Sequence, residues 1–108
     1  MNKLYNNKIR LLLVDDEEGF RMTIAKRLGK RGFVPVQASS GEECLNILGK
    51  ELLDVVVLDV KMPGISGIDT LKAIKQVYKK VQVILLTGNI AVSDGIDGIK
   101  SGAFDYLT

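Results

Sequence analysis

Three aspartates carry the most pointed chemistry in this sequence. Asp15 and Asp16 follow the apolar run Ile9-Arg10-Leu11-Leu12-Leu13-Val14, and Asp59 follows Val55-Val56-Val57-Leu58. Adjacent parallel strands that end at one edge of a sheet would bring these carboxylates into a single crevice. Like charges at that separation do not all stay ionised without a counter-ion. An all-oxygen donor set selects a hard divalent cation, and magnesium suits it. Blander uses compete with this reading. Asp15 and Asp16 could cap a following helix, and Glu17 and Glu18 read as acids that complement the dipole of its first turn. Asp59 alone, before Met62-Pro63-Gly64, could serve only a turn. Its place after an unbroken apolar run, the mark of a strand buried on both faces, argues for more.

The elements that must position these residues alternate along the chain. Leu11–Val14 reads as strand one. Phe20, Ile24 and Leu28 recur every fourth residue, one stripe of a helix that stops near Gly29 and Gly32. Val34 to Ala38 is a short second strand whose Pro35 suits a sheet edge. Ser40 followed by Glu43 predicts a capping box, opening a helix with Cys44, Ile47 and Leu48 and ending at Gly49. Strand three spans Asp54 to Asp59. Ser66 or Gly67 starts a helix with Ile68, Leu71, Ile74 and Tyr78 on one side. Val81 to Leu86 is strand four, ending at Thr87. Val92, Ile96 and Ile99 mark a fourth helix containing Gly95 and Gly98, and Phe104 to Leu107 is strand five. Such alternation implies right-handed crossovers and an α/β doubly wound parallel sheet. Ligands of such sheets sit outside the carboxyl ends of the strands, which is where Asp15, Asp16, Asp59 and Thr87 fall.

At 108 residues and 46% hydrophobic content the chain is one domain with enough apolar side chains for a core. A net charge of +2 gives no case for nucleic acid. The basic residues Lys26, Arg27, Lys30 and Arg31 read as a solvated helix end, where cations complement the dipole. No apolar stretch approaches the roughly eighteen residues of a membrane span, and the acids from Asp15 to Glu18 cut off the faint echo of a signal peptide. A cytoplasmic protein is expected. The single cysteine, Cys44, excludes an internal disulfide and reads as a buried small hydrophobe. The absence of histidine removes Ser-His-Asp and Cys-His catalysis, His-ligated zinc and any role as a phosphohistidine donor.

The whole chain resembles the receiver domain of two-component response regulators. The resemblance rests on Asp15-Asp16, on Asp59-Val60-Lys61-Met62-Pro63-Gly64-Ile65-Ser66-Gly67, on Thr87-Gly88, and on Gly102-Ala103-Phe104-Asp105-Tyr106-Leu107. It implies a flavodoxin-like, five-stranded parallel sheet of order 2-1-3-4-5 over residues 1–108. It implies that Asp59 accepts a phosphoryl group from a sensor histidine kinase or phosphotransfer protein. Asp15, Asp16, Asp59 and the Lys61 carbonyl would hold Mg2+. The Thr87 hydroxyl and the Gly88 N–H would contact phosphoryl oxygens, and Tyr106 would be a switch aromatic, although plain core packing also suits it. No turnover enzyme, direct nucleic-acid contact or membrane association is implied, and any output domain lies outside this chain. Receivers continue past strand five with a lysine, usually a proline, and a fifth helix. The sequence stops at Thr108, so the expectation is a C-terminally incomplete receiver with four helices, one sheet face short of cover, and a tendency to self-associate through that face. A magnesium-dependent phosphatase of the haloacid dehalogenase type is a weaker alternative, because strand one lacks its Asp-x-Asp spacing. An unphosphorylated pseudo-receiver is another.

Overall fold

A computed structural model of the chain describes residues 9–62, 64–86 and 97–107. The elements are β1 (Leu11–Val14), α1 (Glu18–Gly29), β2 (Val36–Ala38), α2 (Gly41–Leu48), β3 (Val55–Asp59), α3 (Gly67–Val77), β4 (Gln82–Leu86) and β5 (Asp105–Leu107). Residues 97–100 are helical and lead into β5. All strand pairs are parallel, and the sheet order is β2-β1-β3-β4-β5. This is the doubly wound parallel sheet expected from the alternation, in the flavodoxin-like order that the resemblance implies. The expected Val92 and Ile96 of the fourth helix, and Gly95, lie outside the described residues. Among the described residues no helix is long and apolar enough to cross a membrane.

The strand ends differ from the sequence-based bounds for local reasons. Val34 and Pro35 precede β2, which begins only where Val36 pairs with Leu12; proline has no N–H to give a ladder. Asp54, just before β3, accepts the Arg10 N–H on its carboxylate at 2.8 Å while its own N–H donates to the Arg10 carbonyl at 2.8 Å, so a side chain completes the pairing where the ladder begins. Val81 closes a turn by donating to the Tyr78 carbonyl at 3.0 Å, so β4 starts at Gln82.

Register assigns the side chains to two faces. Leu12, Val56 and Val83 lie side by side, as do Val14, Leu58 and Leu85. All six are fully buried against α2 and α3, which contribute Cys44, Leu48, Leu71 and Ile74. Burial pushes the Cys44 thiol up to about 12, so it is a packed apolar group.

The opposite face corrects two expectations. On it Leu13 is buried, but Val55, Val57, Ile84 and Leu86 are only partly covered. The unbroken run in β3 is therefore buried fully on one face only. Helix α1, the partner on this side, contains no buried residue, and Phe20 at its start is 50% exposed. The stripe Phe20, Ile24, Leu28 is real, yet it only leans on the sheet.

The helix caps place the loops. Ser66 accepts the Asp69 N–H and opens α3, while the Ser40 hydroxyl accepts the Glu43 N–H and opens α2. The expected return contact of the box is displaced by one residue: the Glu43 carboxylate accepts from Ser39 N–H at 2.6 Å. Gly98 packs so closely on Leu85 that a Cβ there would collide with it, which gives this glycine a packing role.

Gly67 brings the start of α3 directly onto the chain at the end of β3. A Cβ on it would run into the Asp59 carbonyl and the Val60 backbone, and its N–H donates to the Val60 carbonyl at 2.9 Å. Gly67→Ala is expected to lower stability by about 1–3 kcal/mol, the range for forcing atoms into a packed site. Urea unfolding measures it, with Gly29→Ala, where a Cβ meets open space, as the control that stays near the parent value.

Candidate metal and phosphoacceptor site

The site grows out of one strand pairing. Val14 lies beside Leu58, so the next residues, Asp15 and Asp59, emerge side by side at the carboxyl ends of β1 and β3. Carboxylate oxygens from Asp15, Asp16 and Asp59 all lie within 4.8 Å of one another. Asp15 is buried, Asp59 is partly buried and Asp16 is exposed, so the cluster opens to solvent on one side. The structure thus brings together the three acids singled out from sequence.

Backbone groups aim two of them. Asp15 Oδ1 accepts the Glu17 N–H at 2.9 Å, and its own N–H donates to the Ala38 carbonyl at 3.1 Å. The capping alternative is thereby narrowed: Asp15 makes a local turn, while Glu17, at the cap position of α1, makes no side-chain cap. Asp59 Oδ1 accepts the Lys61 N–H at 3.2 Å, which ties Lys61 to the site through its backbone. Tyr106 lies beside Leu85 on the α2/α3 side, partly buried against the core. Thr87 and Gly88 lie outside the described residues.

The electrostatics follow from crowding. Removal from water is the main force raising the Asp59 pKa to about 6, with the Asp15 charge next; the Lys61 N–H pulls the other way. Asp15 is likewise raised, by burial first, against the opposing Glu17 N–H. Closely spaced carboxylates that resist joint ionisation, all oxygen donors and open to solvent, fit a small divalent cation such as magnesium.

Sequence reasoning missed one contributor. Arg21, in the first turns of α1, donates from Nη1 to the Asp15 carbonyl at 2.7 Å and from Nε to Gln37 Oε1 at 3.0 Å. The only trace of it in the sequence is a cation near a helix N-terminus, where the dipole disfavours one.

Comparison with known proteins agrees with this geometry. Residues 11–108 match the family model described as "Response regulator receiver domain". The "Probable transcriptional regulator ycf27" of Guillardia theta is 40% identical over 100 residues, 93% of this chain and 39% of that protein. The chain therefore spans about two fifths of that relative's length. The receiver domain of the Francisella response regulator 1452 superposes with a TM-score of 0.86 at 31% identity, covering 94% of this chain and 84% of that one. A Burkholderia pseudomallei response regulator solved with a phosphorylated aspartic acid, a calcium ion and citrate gives 0.85 at 27% identity, covering 93% and 59%.

The raised pKa values have a thermodynamic consequence. A carboxyl group whose folded pKa exceeds its unfolded value stabilises the fold while protonated. For Asp59 that contribution is complete below about 3.8 and is lost as pH rises through about 6; Asp15 acts in the same sense. Urea unfolding in chelator is therefore expected to show stability falling across that window. Asp59→Asn flattens the slope and gains about 1 kcal/mol at neutral pH, a figure reduced for solvent screening at an open rim.

Proposed function

The chain belongs to the response regulator receiver domain family, and on that premise we propose that Asp59 is the residue it uses to accept a phosphoryl group in two-component signalling. The observation that carries this reading is the convergence of Asp15, Asp16 and Asp59 within 4.8 Å at the ends of two central strands. Residues 1–108 form one receiver unit in this reading. The donor is a phosphohistidine on a sensor kinase or phosphotransfer protein, and the output is carried by a segment or partner outside this stretch.

Asp15, Asp16, Asp59 and the Lys61 carbonyl would hold the magnesium. Bound there, the ion supplies positive charge to the carboxylates and to the oxygens of the transferring phosphoryl group. The protein's own part is positioning. The Lys61 N–H occupies Asp59 Oδ1 and leaves the other oxygen to attack phosphorus. A P–O bond forms as the P–N bond of the donor breaks, and the departing imidazole nitrogen keeps the electron pair. Attack requires the ionised form of Asp59, which positive charge beside the carboxylates would favour. The Thr87 hydroxyl and Gly88 N–H contact phosphoryl oxygens in this reading. Tyr106, beside Leu85 at the edge of the core, is the aromatic that reports the change to the surface. The reaction is on the protein itself, followed by slow hydrolysis, with no turnover of an outside substrate.

The partly covered face beside α1, where Phe20 is 50% exposed and Val55, Val57, Ile84 and Leu86 are only partly buried, supports self-association of this stretch. Sedimentation is expected to show mass rising with concentration; a monomer throughout refutes that part. The central test is incubation with a small phosphodonor and magnesium, followed by intact mass. One added phosphoryl group is expected, absent from Asp59→Ala. A magnesium response that disappears in Asp16→Asn is expected alongside it, whereas an interaction module that is never phosphorylated shows neither.

A further inference from the structure

Asp15 is held by its main chain as well as by its strand. Its N–H donates to the Ala38 carbonyl in β2, and its own carbonyl accepts from Arg21 Nη1 at 2.7 Å. The same guanidinium donates from Nε to Gln37 Oε1, also in β2, at 3.0 Å. A single planar side chain thereby ties α1, the loop that bears Asp15 and Asp16, and the edge strand. A compact ammonium cannot make both contacts in that fork geometry. We propose that Arg21 is a positioning residue of the acidic pocket: by fixing the Asp15 peptide against β2, it holds the Asp15 and Asp16 carboxylates at the spacing to Asp59 that a divalent cation needs. The inference rests on the metal-binding reading of the pocket.

Charge alone predicts the opposite behaviour. A cation beside an acidic pocket competes with a bound metal, so its removal would tighten magnesium binding. Loss of positioning weakens binding instead. The experiment is calorimetric titration of the chain with magnesium alone, for the parent, Arg21→Lys, Arg21→Ala and Gln37→Ala. Each protein is first melted in chelator so that titrations are made where it is folded. Arg21→Lys keeps the charge and is expected to raise the dissociation constant about tenfold, the scale seen when groups that orient metal ligands are removed. Arg21→Ala weakens binding as well. Gln37→Ala, at an exposed position that changes no charge, weakens it in the same direction by less, and tests the clamp even where Arg21→Ala does not fold. Unchanged affinity in Arg21→Lys, or tighter binding in Arg21→Ala, overturns the inference and leaves the metal reading standing. Failure of the parent to bind magnesium overturns the metal reading and the inference with it.

Discussion

The parallel pairing of β1 with β3 is the constraint on which the rest of this molecule depends. Because Val14 sits opposite Leu58, the next residue on each chain is an aspartate: Asp15 just past β1, and Asp59 at the last position of β3. Neighbouring strands lie about 4.8 Å apart, so repulsion between those side chains is built into the register. Slipping the register by one residue would relieve it, but would also turn either Leu12 and Val14 or Val56 and Leu58 away from the core they fill. Hydrophobic burial along the strands thus holds the carboxylates in an arrangement their own charges oppose. Burial is the main cause of the raised Asp59 pKa, and the Asp15 charge, next in size, is the local expression of that conflict.

The two sheet faces do unequal work. The side facing α2 and α3 carries the fully buried side chains, and its helices are fixed at their starts by Ser40 and Ser66. Lys75 secures the end of α3 by donating to the carbonyls of Lys79 and Val81. The side facing α1 is more lightly packed: α1 buries no residue, and Arg21 adds polar links to β2 and to the Asp15 loop. The acids sit on the rim between a rigid face and a lightly packed one.

Much of this was legible in the sequence, for identifiable reasons. Strand and helix types follow from apolar runs and four-residue stripes, and both serine caps follow from side-chain chemistry that acts over three residues. The meeting of Asp15, Asp16 and Asp59 follows from strand ends alone. Other features depend on what lies across from a residue. An apolar run such as Val55–Leu58 tells what a strand tolerates on its two faces but not what covers them, and Val57 is only partly covered. The Arg21–Gln37 contact spans 16 positions and requires the β1–β2 register, which no local pattern encodes. Glu43 reaches Ser39 and not Ser40 because the turn geometry before α2, rather than the spacing of the motif, sets which N–H is free.

Gly67 gives the loop after Asp59 an unusual mechanical property. With no side chain between them, the first residue of α3 rests directly on the main chain at Asp59 and Val60. Flexible side chains normally act as cushions that absorb small shifts between elements; here none intervenes. The Asp59 peptide and the start of α3 thus bear on one another main chain to main chain, with no intervening atoms to take up a change in their spacing.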